Sequence, residues 1–496
     1  MIDRLGGSMK RLLASFAALS LFACSTANAP APAEQAAPQE VPITSKVEAA
    51  VDHFKKGRDL SENLRQAEAV QEFNQALQLD PDFAMALVYR GGAQTGPVGL
   101  KDMELASSKA ASLSQPERLW IDAELAGRKG ELSRSDDLWK QLTDAVPGDW
   151  RAHMQRGNQL LQSQKYAEAL DALNKATAIN PNAGPAYNMI GYAHLVQGEA
   201  AAAIEAFKRY AASSPNEPNP LDSLGEALMA GGQFGEAEAA FRKAASLSPG
   251  FYNAWEGVAY TKFFAGDWPA GREALAQARS AAARGSDRID VERLSAMATL
   301  AEGKTAEAIK QVDAIGASPD ASVVDTAFTP VYRGLALVES GRYRQAREEL
   351  EKASAGVDKS KIPPGAYANL VRWGVAVCAS ASGLGGDVEG AKADVAVIEA
   401  EAAARPDDPL LRSTVHLAKG MLAAAQKDIK TARTHFDQCA ERDVYCQWQS
   451  MVASQKAGDT AGADASRAKL MKVYLRDPIY LVARTSVERK KPRQTN

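Results

Sequence analysis

Four cysteines and five histidines in 496 residues leave little from which to build a metal centre. His53, His153, His194, His416 and His435 form no His-x-x-x-His pair, and no Cys-x-x-Cys occurs, so the sequence nominates no metal ligands. A Gly-x-Ser-x-Gly elbow is also missing, and the serines and threonines have no local base. Gly383-Leu384-Gly385-Gly386 follows no strand and precedes no Lys-Ser or Lys-Thr, so it reads as a helix–helix turn rather than a phosphate loop. Carboxylates are plentiful but sit at helix-surface positions spaced for pairing with Lys and Arg. No catalytic residue and no cofactor is expected. Charge of one sign is lacking too: the formal net charge is −3, which offers no field for nucleic acid. Sustained strand alternation is absent, which predicts essentially no sheet.

What the chain does have is a period. Gly157, Gly191 and Gly225 are 34 residues apart, and Pro181, Pro215 and Pro249 each follow their glycine by 24. Between them small and large apolar residues recur at fixed offsets: Ala169, Leu173 and Ala176, then Ala203, Phe207 and Tyr210, then Ala237, Phe241 and Ala244. Glycine inside a helix costs roughly 0.5–1 kcal/mol relative to alanine, so a repeated glycine implies a repeated close approach. The spacing predicts that the second helix of each pair supplies it, with Ala169, Ala203 and Ala237 opposite. The prolines stop the second helices and turn the chain.

These glycines, alanines and prolines resemble the tetratricopeptide repeat, a 34-residue helix-turn-helix unit. Gly57, Ala69, Phe73, Ala76 and Pro81 make an earlier copy, and degenerate copies are placed near Leu87–Pro116 and Leu119–Pro147. Beyond Pro249, glycine keeps coming five residues before a small residue, as in Gly266 to Gly271, Gly303 to Ala308, Gly341 to Ala346 and Gly458 to Ala463. The resemblance implies an all-α, right-handed superhelical solenoid of about 12 hairpins. The array is expected over 48–285, clearest over 150–249, with a degenerate continuation over 286–475. Breaks are expected near 283–287, 318–322 and 355–364. In such repeats His53 and His153 fall in a slot that packs between helices.

Residues 1–23 read as an export signal. Lys10 and Arg11 precede an apolar run from Leu12 to Ala23 that is too short to span a bilayer. Its end, Leu21-Phe22-Ala23-Cys24, resembles the bacterial lipobox, which implies lipidation of Cys24. Ser25 then favours an outer-membrane lipid anchor facing the periplasm. An ordinary secretory signal with an incidental cysteine is the alternative. Residues 24–47 are rich in Ala, Pro, Gln and Glu and read as a disordered tether. Removing 1–23 takes away Arg4, Lys10 and Arg11 against Asp3, a charge of +2, and leaves −3 − 2 = −5. Residues 476–496, with Arg489, Lys490, Lys491 and Arg493, read as a solvated basic tail.

Cys439 and Cys446 are seven apart across a predicted inter-unit turn. They are either a disulfide, permitted in an exported protein, or two small buried core residues. Cys378 reads as a buried apolar residue.

In tetratricopeptide arrays the first helices line the concave face. Carried onto this chain, that row is Arg151, Asn158, Asn188, Tyr192, Asn219, Asp222, Glu226, Asn253, Glu256, Tyr260 and Phe263. Asparagine both donates and accepts, so it can pair with any peptide backbone, and tyrosine adds rigid apolar area with a polar tip. The strip therefore points to an extended segment of a partner protein. A polysaccharide- or peptidoglycan-binding adaptor is the alternative. Met154, Pro185 and Asn219 stand where a carboxylate clamp would need cations, so a free carboxylate terminus is not the expected ligand.

Overall fold

The computed structural model describes residues 40–489 apart from 95, 363, 407, 441, 442 and 473. The described residues belong to one unit, within Pro38–Asn496. The signal, Cys24 and most of the tether lie outside the described residues, as do Lys490, Lys491 and Arg493.

The described residues form 25 α-helices and no strand, an all-α solenoid. The first three hairpins are α1 (Glu48–Glu62) with α2 (Gln66–Leu79), α3 (Ala84–Ala93) with α4 (Gly96–Lys109), and α5 (Gln115–Arg128) with α6 (Leu132–Ala145). The next three are α7 (Trp150–Gln162) with α8 (Tyr166–Ile179), α9 (Gly184–Val196) with α10 (Ala200–Ser213), and α11 (Pro218–Ala230) with α12 (Phe234–Leu247). Then come α13 (Tyr252–Phe264) with α14 (Trp268–Ala281), α15 (Gly285–Ala301) with α16 (Thr305–Gly316), and α17 (Val323–Glu339) with α18 (Tyr343–Ala355). The last three are α19 (Pro364–Gly385) with α20 (Val388–Ala404), α21 (Pro409–Ala425) with α22 (Ile429–Phe436), and α23 (Val444–Lys456) with α24 (Thr460–Met471). One helix remains unpaired, α25 (Pro478–Arg489).

The glycine that precedes a small residue by five is the turn inside the hairpin. At Gly198 the backbone is left-handed (φ +75°), Glu199 N–H donates to His194 O at 2.9 Å and Gly198 N–H to Leu195 O at 2.9 Å. This pair of bonds satisfies the last carbonyls of α9 and reverses the chain. Leu64, Gln164 and Lys427 adopt the same left-handed conformation in their turns without glycine's freedom.

The close approach inferred for Gly157, Gly191 and Gly225 is real, but the alanines are not what lies over them. Ala169, Ala203 and Ala237 are fully buried between helices. The residue over each glycine is the large one sixteen positions later. A Cβ built on Gly225 would come 2.8 Å from the Phe241 ring, and one on Gly257 of the following hairpin 2.4 Å from the same ring. Phe241 is thus clamped between glycines of two successive hairpins.

The buried core is continuous from Leu195 to Val487, so nothing divides it at 285, whereas a separate large cluster spans Ala50 to Ala152. The segments 283–287, 318–322 and 355–364 are connections between hairpins, the last carrying a short 3-10 turn at Lys359–Lys361.

The tail is the larger correction. Residues 478–489 form α25, with Tyr480, Leu481, Val482, Ala483 and Val487 at most 1% exposed, packed against α15, α23 and α24. Apolar burial outweighs solvation because Ile479-Tyr480-Leu481-Val482-Ala483 is a continuous apolar run, introduced by Asp477-Pro478 as a helix start. The end of the tether is not free either. Val41 N–H donates to Asp149 Oδ2 at 2.7 Å, Thr44 N–H and Oγ1–H to the Glu117 carboxylate at 2.9 Å each, and Ser45 Oγ–H to Asp80 Oδ2 at 2.6 Å. Residues 41–45 therefore lie strapped across the end of α2 and the starts of α5 and α7.

Candidate partner-binding groove

The first helices of the hairpins carry most of the expected row, but its two halves have different fates. In the second half the chain itself enters the groove, beside a remaining cavity of about 560 Å³ lined by Tyr192, Asp222, Glu226, Glu256, Tyr260 and Arg476. Arg476, just before α25, donates to Asp222 Oδ2 at 2.8 Å and to the Asn253 carbonyl oxygen, and stands 3.6 Å from Glu256 Oε2. Its guanidinium also lies 5.7 Å from the Phe241 ring centroid. Glu226 accepts from the Tyr192 hydroxyl at 3.1 Å. Tyr474 sits against Phe234 and Phe264, with ring centroids 4.9 and 5.3 Å apart, and Tyr480 against Phe264 at 5.8 Å.

Tyr192, Asp222, Glu226, Asn253, Glu256 and Tyr260 therefore do converge in one place, around an internal cation. Asn219 is turned toward the preceding hairpin, donating to the Tyr210 hydroxyl at 3.2 Å. Phe263 is not a groove residue. It is 3% exposed and packs on Trp268 at 4.9 Å, while its neighbour Phe264 faces the groove, because Glu256, Tyr260 and Phe264 share a helix face at i, i+4 and i+8.

Burial pushes the carboxyls of Asp222, Glu226 and Glu256 up, with Arg476 opposing the shift in each case. For Glu256 the value rises from 4.5 to about 7. The native state then holds a proton that the unfolded chain releases between about pH 4.5 and 7, so stability is fully present below that window and falls as pH rises through it. At 1.36 kcal/mol per unit the loss is about 3 kcal/mol. Urea midpoints should be higher at pH 5 than at pH 7.5, and Glu256→Gln should flatten the difference. An equal midpoint at both pH values contradicts this cluster.

The first half of the groove is open. A cavity of about 540 Å³ lies between the turn of the first hairpin and α3, α5, α7 and α9, and Arg151, Asn158 and Asn188 line it. Its base is a row of rings, Tyr89 stacked on Trp120 at 5.6 Å and Trp120 edge-on to Trp139 at 5.0 Å. Arg151 lies over the Trp150 ring at 4.3 Å and binds Glu62 at 2.5 Å, which ties the fourth hairpin to the first. Asn188 Oδ1 accepts from Ser223 Oγ at 3.2 Å. Glu124 also lines the cavity; burial raises its carboxyl to about 7, with Arg128 opposing. Arg128 itself donates to the Gly91 carbonyl at 2.8 Å, so Glu124 has no ion-pair partner among the described residues.

Tyr89, Trp120, Trp139 and Glu124 escape a reading by repeat offset. Their units are degenerate: 100 residues separate Gly57 from Gly157, two short of three periods, which destroys the register. Trp120 and Trp139 were nevertheless visible as two of only seven tryptophans.

Elsewhere, the sulfurs of Cys439 and Cys446 are bonded at 1.99 Å, linking the end of the eleventh hairpin to the start of α23. Cys378 is buried and free. His416 and His435 face one another with Nδ1 atoms 3.4 Å apart, and no third metal-ligating side chain joins them among the described residues.

Comparison with known families matches the same hairpins. The tetratricopeptide repeat model fits residues 123–184 and 155–218, and a second tetratricopeptide repeat model fits 221–251. The segments 123–218 and 221–251 are thus similar to tetratricopeptide repeats. None of the curated proteins matches the chain in sequence. Among solved structures the array is similar to MamA from Desulfovibrio magneticus RS-1, over 34% of this chain and 97% of that one, at 18% identity and a TM-score of 0.32. A thermophilic tetratricopeptide protein from Thermus thermophilus, TTC0263, matches over 43% of this chain and 98% of its own, at 18% identity and 0.29. YrrB, described as a tetratricopeptide protein with an unusual peptide-binding site, matches over 42% and 92%, at 17% identity and 0.28.

Proposed function

We propose that the chain is a non-enzymatic scaffold or assembly adaptor of the bacterial envelope that binds another protein through the open groove of its first five hairpins. One observation carries this reading. The chain's own Arg476 enters the second half of the groove and engages its carboxylates, whereas the cavity of the first half, lined by Arg151, Asn158, Asn188 and Glu124, receives no such segment among the described residues.

Asparagine amides suit the backbone of an extended segment, and Glu124 suits a basic side chain on it. Trp120 and Trp139 are buried, and Tyr89 is half-buried with one face stacked on Trp120, so the rings offer little face to a sugar. That favours a protein partner over a polysaccharide or peptidoglycan ligand. Lipidation at Cys24 would place the scaffold on the outer membrane, its anchor being acyl burial at about 0.8 kcal/mol per methylene. Among the described residues no helix is long and apolar enough to cross a membrane.

Affinity purification from envelope fractions followed by mass spectrometry should recover a stoichiometric protein, lost on Arg151→Ala with Asn158→Ala. Recovery of glycan fragments without protein would contradict the reading. In the same cells Cys24→Ala should move the protein to the soluble periplasmic fraction, and unchanged tight membrane association would contradict the lipid anchor.

A further inference from the structure

A second cavity, of about 500 Å³, lies beside α25 between the fifth and sixth hairpins and the last three. Its walls are mainly apolar, with Trp373, Tyr445, Leu410, Leu470, Leu475 and Ile479 contributing. Into this lining comes Arg372. Its guanidinium lies 4.7 Å from the Trp373 ring centroid and makes one long contact, 3.4 Å, to Asn369 Oδ1.

No carboxylate among the described residues is within ion-pair distance of it, and the nearest ones are engaged. Asp443 accepts from the Cys446 N–H at 3.0 Å and from the Ser413 hydroxyl at 2.7 Å, while Asp408 caps α21 through the Leu410 and Leu411 N–H groups. Burial accordingly pushes Arg372 down from its ordinary value. The guanidinium is half-buried, stays charged and has five donors, most of them open to the head group of a ligand lying along this apolar wall. Four basic side chains line the cavity against three acidic ones, and two of those acids, Glu226 and Asp477, are pushed up by burial. The lining is thus mainly apolar, and Arg372 stands on it as a cation that no described carboxylate pairs, whereas Arg476 is already held by Asp222.

We propose that this cavity binds a small amphiphilic anion, an apolar chain ending in a carboxylate or phosphate, with the head on Arg372 and the chain against Trp373, Tyr445 and Leu475. The guanidinium fork fits either head bidentately. The site is separate from the groove of the first five hairpins and stands or falls independently of the function assigned to that groove.

The probes are dodecanoate, dodecyl phosphate and dodecanol, titrated calorimetrically into the full chain below their micellar concentrations. One saturable site is expected for the anions, tighter than for dodecanol by about tenfold or more, the range of a charge-assisted hydrogen bond. The tighter of the two heads identifies whether a carboxylate or a phosphate is the natural group. Arg372→Gln should erase the preference for the anions while leaving dodecanol unchanged, and Arg372→Lys should keep most of it. Absence of saturable anion binding, equal affinity for dodecanol, or an unaltered Arg372→Gln variant overturns the proposal. If Arg372→Gln does not fold, by its helical circular dichroism, the anion-to-alcohol ratio of the unmodified chain and of Arg372→Lys decides.

Discussion

Replacing Arg476 by methionine should lower the stability of the array by about 3–5 kcal/mol, the range for removing one partner of a buried ion pair. The side chain is only 11% exposed, and methionine keeps much of its volume, so the effect is electrostatic rather than a cavity. What it leaves behind is worse than what it takes away. Asp222, 6% exposed, loses its one ion-pair partner among the described residues, and its second oxygen has no hydrogen-bond partner there. Glu226 and Glu256 lose the guanidinium that offsets their burial.

The sign of the pH dependence follows. Once Arg476 is gone these carboxyls rise further, so the deficit is largest at pH 7.5 and shrinks below pH 5, where protons replace the guanidinium. Urea unfolding measures the loss, and hydrogen exchange over 474–489 shows where it occurs. Protection of α25 should fall with it, because Arg476 is the polar tie between that helix and the hairpins of Asp222 and Asn253. A loss under about 1 kcal/mol, in the range of an exposed pair, would mean the segment is not seated in the groove.

The second large effect is steric. Gly257→Ala should destabilise by about 1–3 kcal/mol, although alanine is the better helix former by roughly 0.5–1 kcal/mol. The new methyl would meet the Phe241 ring at 2.4 Å, and that ring cannot retreat because Gly225 backs it on the other side. Phe241→Leu in the same chain should recover part of the loss by making room, although alone it costs packing. Thermal or urea midpoints of the two single variants and the double variant give the coupling. Strict additivity would mean that the glycines of successive hairpins are not held by a shared ring.

The repeat was legible because it is stiff and local. Ala169, Ala203 and Ala237 had to be buried, the prolines had to follow the second helices, and a count of about twelve hairpins follows from glycine spacing alone; twelve are present. Which large side chain covers each helical glycine was not legible, since offsets of twelve and sixteen both face the partner helix. The row expected along the groove is divided by the chain itself, which enters at Asp222 and Glu256 and not at Asn158. Nothing in the 34-residue period says that a segment 254 residues from Asp222 returns to it, and a terminal stretch with Arg489, Lys490 and Lys491 looks solvated by composition. The apolar run 479–483 was the available signal. At the other end Val41, Thr44 and Ser45 look like tether, and only the folded array brings Asp149, Glu117 and Asp80 into one line for them.

The division of the groove is tested most directly by site-specific photo-crosslinking in cells. A photoreactive residue is placed at Asn158 in the open half and, in a second chain, at Tyr260 beside Arg476. Position 158 should capture a discrete partner protein, and Arg151→Ala in the same chain should weaken that capture, while position 260 should give only crosslinks within the chain. A partner captured at 260 and none at 158 would contradict the account.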